Sequence, residues 1–154
     1  MTTKAEFNAE EWQQVAEGPA LAGLIVIAAQ RGGTIRESVH MARAYTEARK
    51  LHGDTDLLGE VVAAPPAIDT KRFQTHEALR NTGLARIRDG VALLEAKATP
   101  EELEEYRRFT LTVAQAAAEA DKSGGFLGIG GERVSEAENA ALDQIAEALG
   151  TTRS

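Results

Sequence analysis

Apolar residues recur at steps of three and four along most of the chain, the spacing that places side chains on one face of an α-helix. Two clear stripes are Leu84, Ile87, Val91, Leu94 and Ala98, and Leu103, Tyr106, Thr110, Val113, Ala117 and Ala120. No stretch alternates apolar and polar residues in the way that is typical of a half-buried strand. The pattern over residues 1–154 predicts an all-α fold, a single compact bundle of about six or seven helices.

Several predicted helices begin with a capping box, in which a Ser, Thr or Asn side chain and a Glu three residues later satisfy each other's backbone amides. The sequence has this form at Asn8–Glu11, Thr34–Glu37, Thr99–Glu102 and Ser135–Glu138. Pro100 suits the first position of a helix, because the amide there has no partner within the helix. These positions predict where helices start.

Glycine and proline predict where helices end. Gly18 is expected to close a short first helix that carries Trp12 and Val15, and Pro19 is expected to open a second helix that reaches about Arg31. The second helix is apolar on most faces, which is typical of a helix at the centre of a bundle.

A long helix is predicted from about Asp69 to Ala98, with Gly83 or Gly90 marking a kink or the close approach of a neighbour. The Pro-rich residues 63–68 are a candidate hinge between two halves of the bundle. Gly150 is expected to close the last helix, ahead of a frayed tail at 151–154. That helix carries the apolar residues Ala141, Leu142, Ile145 and Leu149.

Composition narrows the class of protein. The chain has 154 residues, of which 43% are hydrophobic and 27% charged, a globular rather than a disordered balance. With 17 basic against 24 acidic side chains, its net charge of −7 argues against binding to nucleic acid. The lack of cysteine excludes disulfides, thiolate metal sites and a cysteine nucleophile.

The expected location is the cytoplasm. The first residues show no basic region followed by an apolar core, so no secretory signal peptide is expected. The most apolar run, Ala20–Ala29, is half of the roughly 20 residues that a membrane span needs. It is expected to be a buried helix, and no membrane span is predicted.

One segment, Ser123–Val134, has an unusual composition. Five of its twelve residues are glycine, interspersed with Phe126, Leu127 and Ile129. A flexible linker does not need apolar side chains, so we expect an ordered loop that packs them on the bundle. Because glycine is entropically costly to order, we expect close approach by a helix or a partner. The candidate binding residues are Phe126, Leu127, Ile129 and Arg133.

Residues 21–48 and 111–149 share a plan: an apolar helix, a glycine turn, a capping box and an amphipathic helix. This plan is typical of an internal repeat of two helical halves. It is equally typical of ordinary helical hairpins, and the sequence leaves both interpretations open.

The later of these stretches also resembles a known family. Ala120-Asp121, the glycine-rich residues, Val134–Glu138 and the ending Leu149-Gly150 are similar to the pattern of TerB-like (tellurite-resistance B) proteins, mainly over residues 111–150. The resemblance implies an all-helical protein built from two such halves and associated with stress responses and with metal or ligand sensing. The chain departs from the pattern in its longer loop after Asp121 and in Gln30-Arg31, where the family has Asp-Gly.

Carboxylates around the same loop are candidate ligands for a divalent cation, because hard cations prefer clustered carboxylate oxygens. The candidate metal ligands are Asp121, Glu132, Glu136 and Glu138. In the alternative interpretation, Glu136 and Glu138 only complete a helix cap and complement the helix dipole. Residues 121–132 have the length of a calcium-binding loop, but Phe126 stands where that loop needs glycine.

Other motifs that could bind a metal ion or an anion are incomplete or interrupted. Glu37 and His40 have the spacing of one half of a di-iron ligand set, and the second half is missing from the sequence. His76-Glu77 begins a zinc-protease pattern in which Arg80 replaces the second histidine. The basic residues of the long helix are interrupted by acidic ones, which favours a solvated face over an anion-binding stripe. They are Lys71, Arg72, Arg80, Arg86 and Arg88.

The sequence therefore favours a non-enzymatic cytoplasmic binding or interaction module, TerB-like and stress-related, whose partner is a protein or a small ligand. The alternative is a regulatory or catalytic metal-binding protein centred on residues 121–138. A small-molecule pocket between helices and a homo-oligomer are further options that the sequence does not place.

Overall fold

The computed structural model of the protein describes residues 6–29, 46, 61, 75–123 and 136–151, and within them the side chains of residues 27, 76, 119–123 and 136–138 lie outside that description. These ranges contain four helices, which we number α1 (Ala9–Ala29), α2 (His76–Lys97), α3 (Pro100–Ser123) and α4 (Glu136–Leu149). Thr46 and Val61 are helical as well, and the described residues include no strand. The all-α prediction is confirmed for the described residues, whereas the number of helices in the whole chain stays a prediction.

Helix α1 lies at the centre of the described bundle. It packs on α2 and α3 along its length and also contacts α4. Leu21, Leu24, Ile25 and Val26 are each at most 2% exposed, so the apolar run faces neighbours on most sides. The central position predicted for this run is confirmed. In the described ranges no helix combines the length and the apolar composition needed to cross a membrane.

The predicted break at Gly18-Pro19 is wrong, because α1 continues through both residues. Proline normally destabilises a helix interior, since it has no N–H for the carbonyl four residues earlier, here that of Val15. In this protein the hydroxyl of Tyr106 on α3 donates a hydrogen bond to the Val15 carbonyl at 2.6 Å. A side chain from a neighbouring helix thus supplies a donor that the local sequence does not contain.

Helix α2 begins at His76, later than the predicted start near Asp69. Thr75 has an extended backbone, and its hydroxyl accepts a hydrogen bond from the Ala78 amide at 2.9 Å, so it caps the helix. The predicted apolar stripe is confirmed, with Ala98 only partly buried. The close approach of a neighbour predicted at Gly83 or Gly90 is found at Gly83. A Cβ at this position would lie 2.9 Å from Ile25 Cδ1 of α1.

Helix α3 starts with the predicted capping box. The Thr99 amide donates to Glu102 Oε1 at 3.0 Å, and the Glu102 amide donates to Thr99 Oγ1 at 3.1 Å. The helix contributes Tyr106 and Phe109, which are the largest fully buried side chains of the described core. The boxes at 34–37 and 135–138 fall outside the described residues or side chains.

Helix α4 buries the predicted face, formed by Ala141, Leu142, Ile145 and Leu149. Gly150 follows it with φ of 76°, a conformation that favours glycine. The predicted end of the helix is therefore confirmed. The hinge at 63–68 and the tail at 152–154 lie outside the described residues.

Candidate functional site

The candidate site is the segment 124–135 together with the two helices that flank it. Ser123, which the sequence places in the loop, is instead part of α3. Phe126, Leu127, Ile129, Glu132 and Arg133 lie outside the described residues, and so does their arrangement.

Three of the four candidate metal ligands have a described backbone position, and none of the four has a described side chain. Asp121 lies in the last turn of α3, and Glu136 and Glu138 lie in the first turn of α4. The backbone therefore places these three residues at the two helix ends that border the segment. Whether their carboxylates converge on one ion falls outside the described side chains.

Both flanking helices are anchored in the bundle. The Arg107 guanidinium on α3 donates from Nε to the carbonyl of Leu149 at 2.7 Å, which ties α3 to the last residue of α4. This carbonyl is one of those that a helix leaves without an internal partner at its C-terminal end. The segment 124–135 thus connects two helices that are held by the same core and by a direct polar contact.

A buried polar cluster that the sequence did not predict lies where α1 meets α2. Glu17 is 3% exposed at its side chain, and its Oε1 accepts from Arg86 at 3.0 Å to Nη2 and 3.1 Å to Nε. Its Oε2 accepts from Gln13 Nε2 at 3.1 Å. Both oxygens of this carboxylate are hydrogen-bonded, which is the arrangement of a structural ion pair.

A signal for this cluster is present in the sequence. Glu17, Leu21, Leu24 and Ala28 follow one another at steps of four, three and four, so a carboxylate occupies a position of the buried seam. Because the sequence predicts a helix end at Gly18, Glu17 and the apolar residues after it are assigned to different helices, and the shared spacing is not recognised. Arg86, expected on a solvated face, is instead turned toward Glu17, while Arg80 and Arg88 are exposed as expected.

Two acidic residues of α3, Glu102 and Glu105, are also shielded from solvent. Glu102 is buried and closes the capping box with Thr99. Glu105 is partly buried, and its Oε2 has no hydrogen-bonding partner among the described residues. Within the same ranges no group of three or more His, Asp and Glu side chains is placed to hold a metal ion. His40 and His52 and the side chain of His76 lie outside them.

In comparisons with known proteins, no family model, curated protein or solved structure matches the chain.

Proposed function

We propose that the protein is a binding module, not an enzyme, and that residues 121–138 form its working surface. The observation that carries the proposal is the amino-acid composition of residues 124–135, which follow α3 and precede α4. The two flanking helices are held together by the hydrogen bond from Arg107 to the Leu149 carbonyl.

Residues 124–135 contain five glycines together with Phe126, Leu127 and Ile129. Glycine lets a backbone approach another surface closely, and burial of apolar side chains drives association. A segment with both properties suits the recognition of a protein partner in the cytoplasm. The TerB-like resemblance of residues 111–150 belongs to this proposal, since it covers the same region and implies a protein associated with metal or ligand sensing.

Site-specific photocrosslinking tests the proposal. A photoreactive phenylalanine analogue in place of Phe126 should crosslink a protein partner in cells, and an excess of the unlabelled protein should suppress the crosslink. The matched control carries the same analogue at Ala92, an exposed position of α2. Equal crosslinking from both positions would contradict the proposal.

A second test separates binding from folding. Phe126→Ala should abolish capture of the crosslinked partner and leave the helical circular dichroism unchanged. If Phe126→Ala instead lowers the melting temperature and every captured partner stays bound, the side chain serves the fold. The working surface would then have to lie elsewhere.

A metal site is the second candidate function. It is supported by the backbone positions of Asp121, Glu136 and Glu138 at the two helix ends that border one connection. Added to chelated protein, one ion among calcium, magnesium, manganese and zinc should raise the melting temperature at concentrations well below millimolar. Asp121→Asn should remove that rise, and Asp143→Asn, at an exposed position of α4, should preserve it. A melting temperature that no ion changes would eliminate this candidate.

A further inference from the structure

At the centre of α1 one backbone hydrogen bond is missing, and a side chain from another helix replaces it. In a regular α-helix the amide of residue 19 would donate to the carbonyl of Val15, but Pro19 has no amide hydrogen. The carbonyl of Val15 accepts instead from the hydroxyl of Tyr106 at 2.6 Å, across 91 positions of sequence. Tyr106 is fully buried, so water does not compete for this bond.

Gly18 leaves room for the hydroxyl, because a Cβ at this position would clash with Tyr106 Oη. Gly90 of α2 lies beside the same space. A Cβ there would stand 3.6 Å from Tyr106 Oη and 3.4 Å from the carbonyl of Gln14, which are ordinary van der Waals contacts. The phenol thus ends in a notch formed by two helices, at the point where α1, α2 and α3 meet.

We propose that Pro19 is a hinge in α1 and that Tyr106 is the latch that holds it at one angle. The hydroxyl fixes the residues before the hinge to α3, and Glu17, bonded to Arg86, fixes them to α2. Without the hydroxyl, a buried carbonyl would lose its donor, and the two segments of α1 would change their relative orientation to find another one. The latch is independent of the working surface proposed above.

A double-mutant cycle tests the latch. Tyr106→Phe removes only the hydroxyl, and it should raise the equilibrium constant for unfolding by about tenfold. In a Pro19→Ala background, residue 19 regains an amide that donates to Val15, so the hydroxyl becomes redundant. There Tyr106→Phe should change the equilibrium constant by less than about threefold. Equal effects in the two backgrounds would overturn the proposal.

A buried hydroxyl that is not part of the latch provides the control. Thr110 Oγ1 donates to the carbonyl of Tyr106 at 2.8 Å within α3, and Thr110 is fully buried. Thr110→Val should therefore have the same effect whether residue 19 is Pro or Ala. A dependence of Thr110→Val on residue 19 as large as that of Tyr106→Phe would also overturn the proposal.

Hydrogen exchange gives a readout that ordinary loss of packing would not produce. Tyr106→Phe should accelerate amide exchange in α1 around residues 20–23 more than in α2, and Pro19→Ala should reverse that acceleration. A uniform acceleration across the helices contradicts the latch. If Tyr106→Phe alone fails to fold, folding of the Tyr106→Phe/Pro19→Ala protein supports it. Failure of both proteins to fold contradicts it.

Discussion

Helix α1 is tied to its neighbours at two places that differ in their surroundings. Near its middle lies the buried junction, formed by Glu17, Gly18 and Pro19 with Tyr106 and Arg86. At its start lies the exposed clamp, formed by Asn8, Glu11 and Lys97 beside the buried ring of Phe7. Both regions use a carboxylate, a cation and a hydrogen-bonded backbone group, so the environment is what distinguishes them.

In the exposed clamp the same groups stay in contact with water. Lys97 Nζ lies 3.0 Å from Glu11 Oε1 and 2.9 Å from the carbonyl of Glu6, and it stands 5.3 Å from the centre of the Phe7 ring. The side chains of Lys97 and Glu11 are 32% and 27% exposed. Water can replace any one of these contacts, so the loss of a single partner costs little.

In the buried junction no such replacement is available. Tyr106 is fully buried and the Glu17 side chain is 3% exposed, so their polar atoms depend on protein partners rather than on water. A buried group that loses its partner costs its full desolvation free energy. The buried junction therefore fixes the geometry of the bundle, whereas the exposed clamp adds modest and replaceable stability.

The largest effect is expected from Gly18→Ala. The new Cβ would clash with Tyr106 Oη, so the phenol must move away from the Val15 carbonyl. Overpacking of this kind should lower the free energy of unfolding by about 2–3 kcal/mol in spite of the better helix propensity of alanine. Denaturant titration measures it.

The same substitution in a Tyr106→Phe protein is the control for this prediction. The atom nearest to the new Cβ is then the ring carbon Cζ, at 3.3 Å, so the clash is smaller. Gly18→Ala should cost clearly less in that background. An equal cost would show that glycine is needed at position 18 for another reason.

Glu17→Ala should have the next largest effect. It removes the acceptor of Arg86 and Gln13 from a buried position, and it should lower the free energy of unfolding by about 2 kcal/mol. Glu104→Ala is the matched surface control, because Glu104 is 45% exposed and lies 3.6 Å from Arg107 and 3.9 Å from Arg108. Its loss should cost less than about 0.5 kcal/mol. Similar costs for the two variants would refute the distinction between the regions.

The sequence predicts the local part of this architecture and misses the part that depends on distant residues. The capping boxes at Asn8 and Thr99 are found, because both partners lie within four residues. The continuity of α1 through Pro19 is missed, since its donor lies on α3, 91 positions away. The ion pair of Glu17 with Arg86 spans 69 positions and is missed for the same reason.

The same division applies to the candidate site. Spacing and glycine placement predict the helices on either side of residues 124–135 and the end of α4 at Gly150. The contact between Arg107 and Leu149 joins residues 42 positions apart and has no local signature. The proposed binding role of Phe126 and the proposed metal ligation by Asp121 stay predictions.

Asn8→Ala probes the exposed clamp. Asn8 Oδ1 accepts from the Glu11 amide at 2.8 Å, and the Asn8 amide donates to Glu11 Oε1 at 3.0 Å. Loss of the cap should lower the free energy of unfolding by about 1 kcal/mol, and Asn8→Gly should cost only a few tenths of that amount. Denaturant titration of the two variants checks this order. A cost that equals that of Glu17→Ala would contradict the comparison.

The smallest effect is expected from the charge of Glu11. The amide of Asn8, and then Lys97, lower the pKa of the Glu11 carboxyl below its ordinary value of 4.5. A carboxyl whose pKa is lower in the folded state stabilises that state at a pH above its unfolded pKa. This contribution is lost as the pH falls through the lower, folded-state pKa, because both states are then protonated.

Glu11→Gln should therefore remove a small part of the acid sensitivity of the wild-type protein. Above pH 4.5 the variant should be the less stable of the two, and the difference should shrink as the solution becomes more acidic. Added salt should reduce the same difference, since the Lys97 contact is open to solvent. Stability measured against pH for both proteins, at low and at high salt, checks the prediction. A gap that widens toward acid, or one that salt leaves unchanged, would show that Glu11 is not acting as an exposed carboxylate held by Lys97.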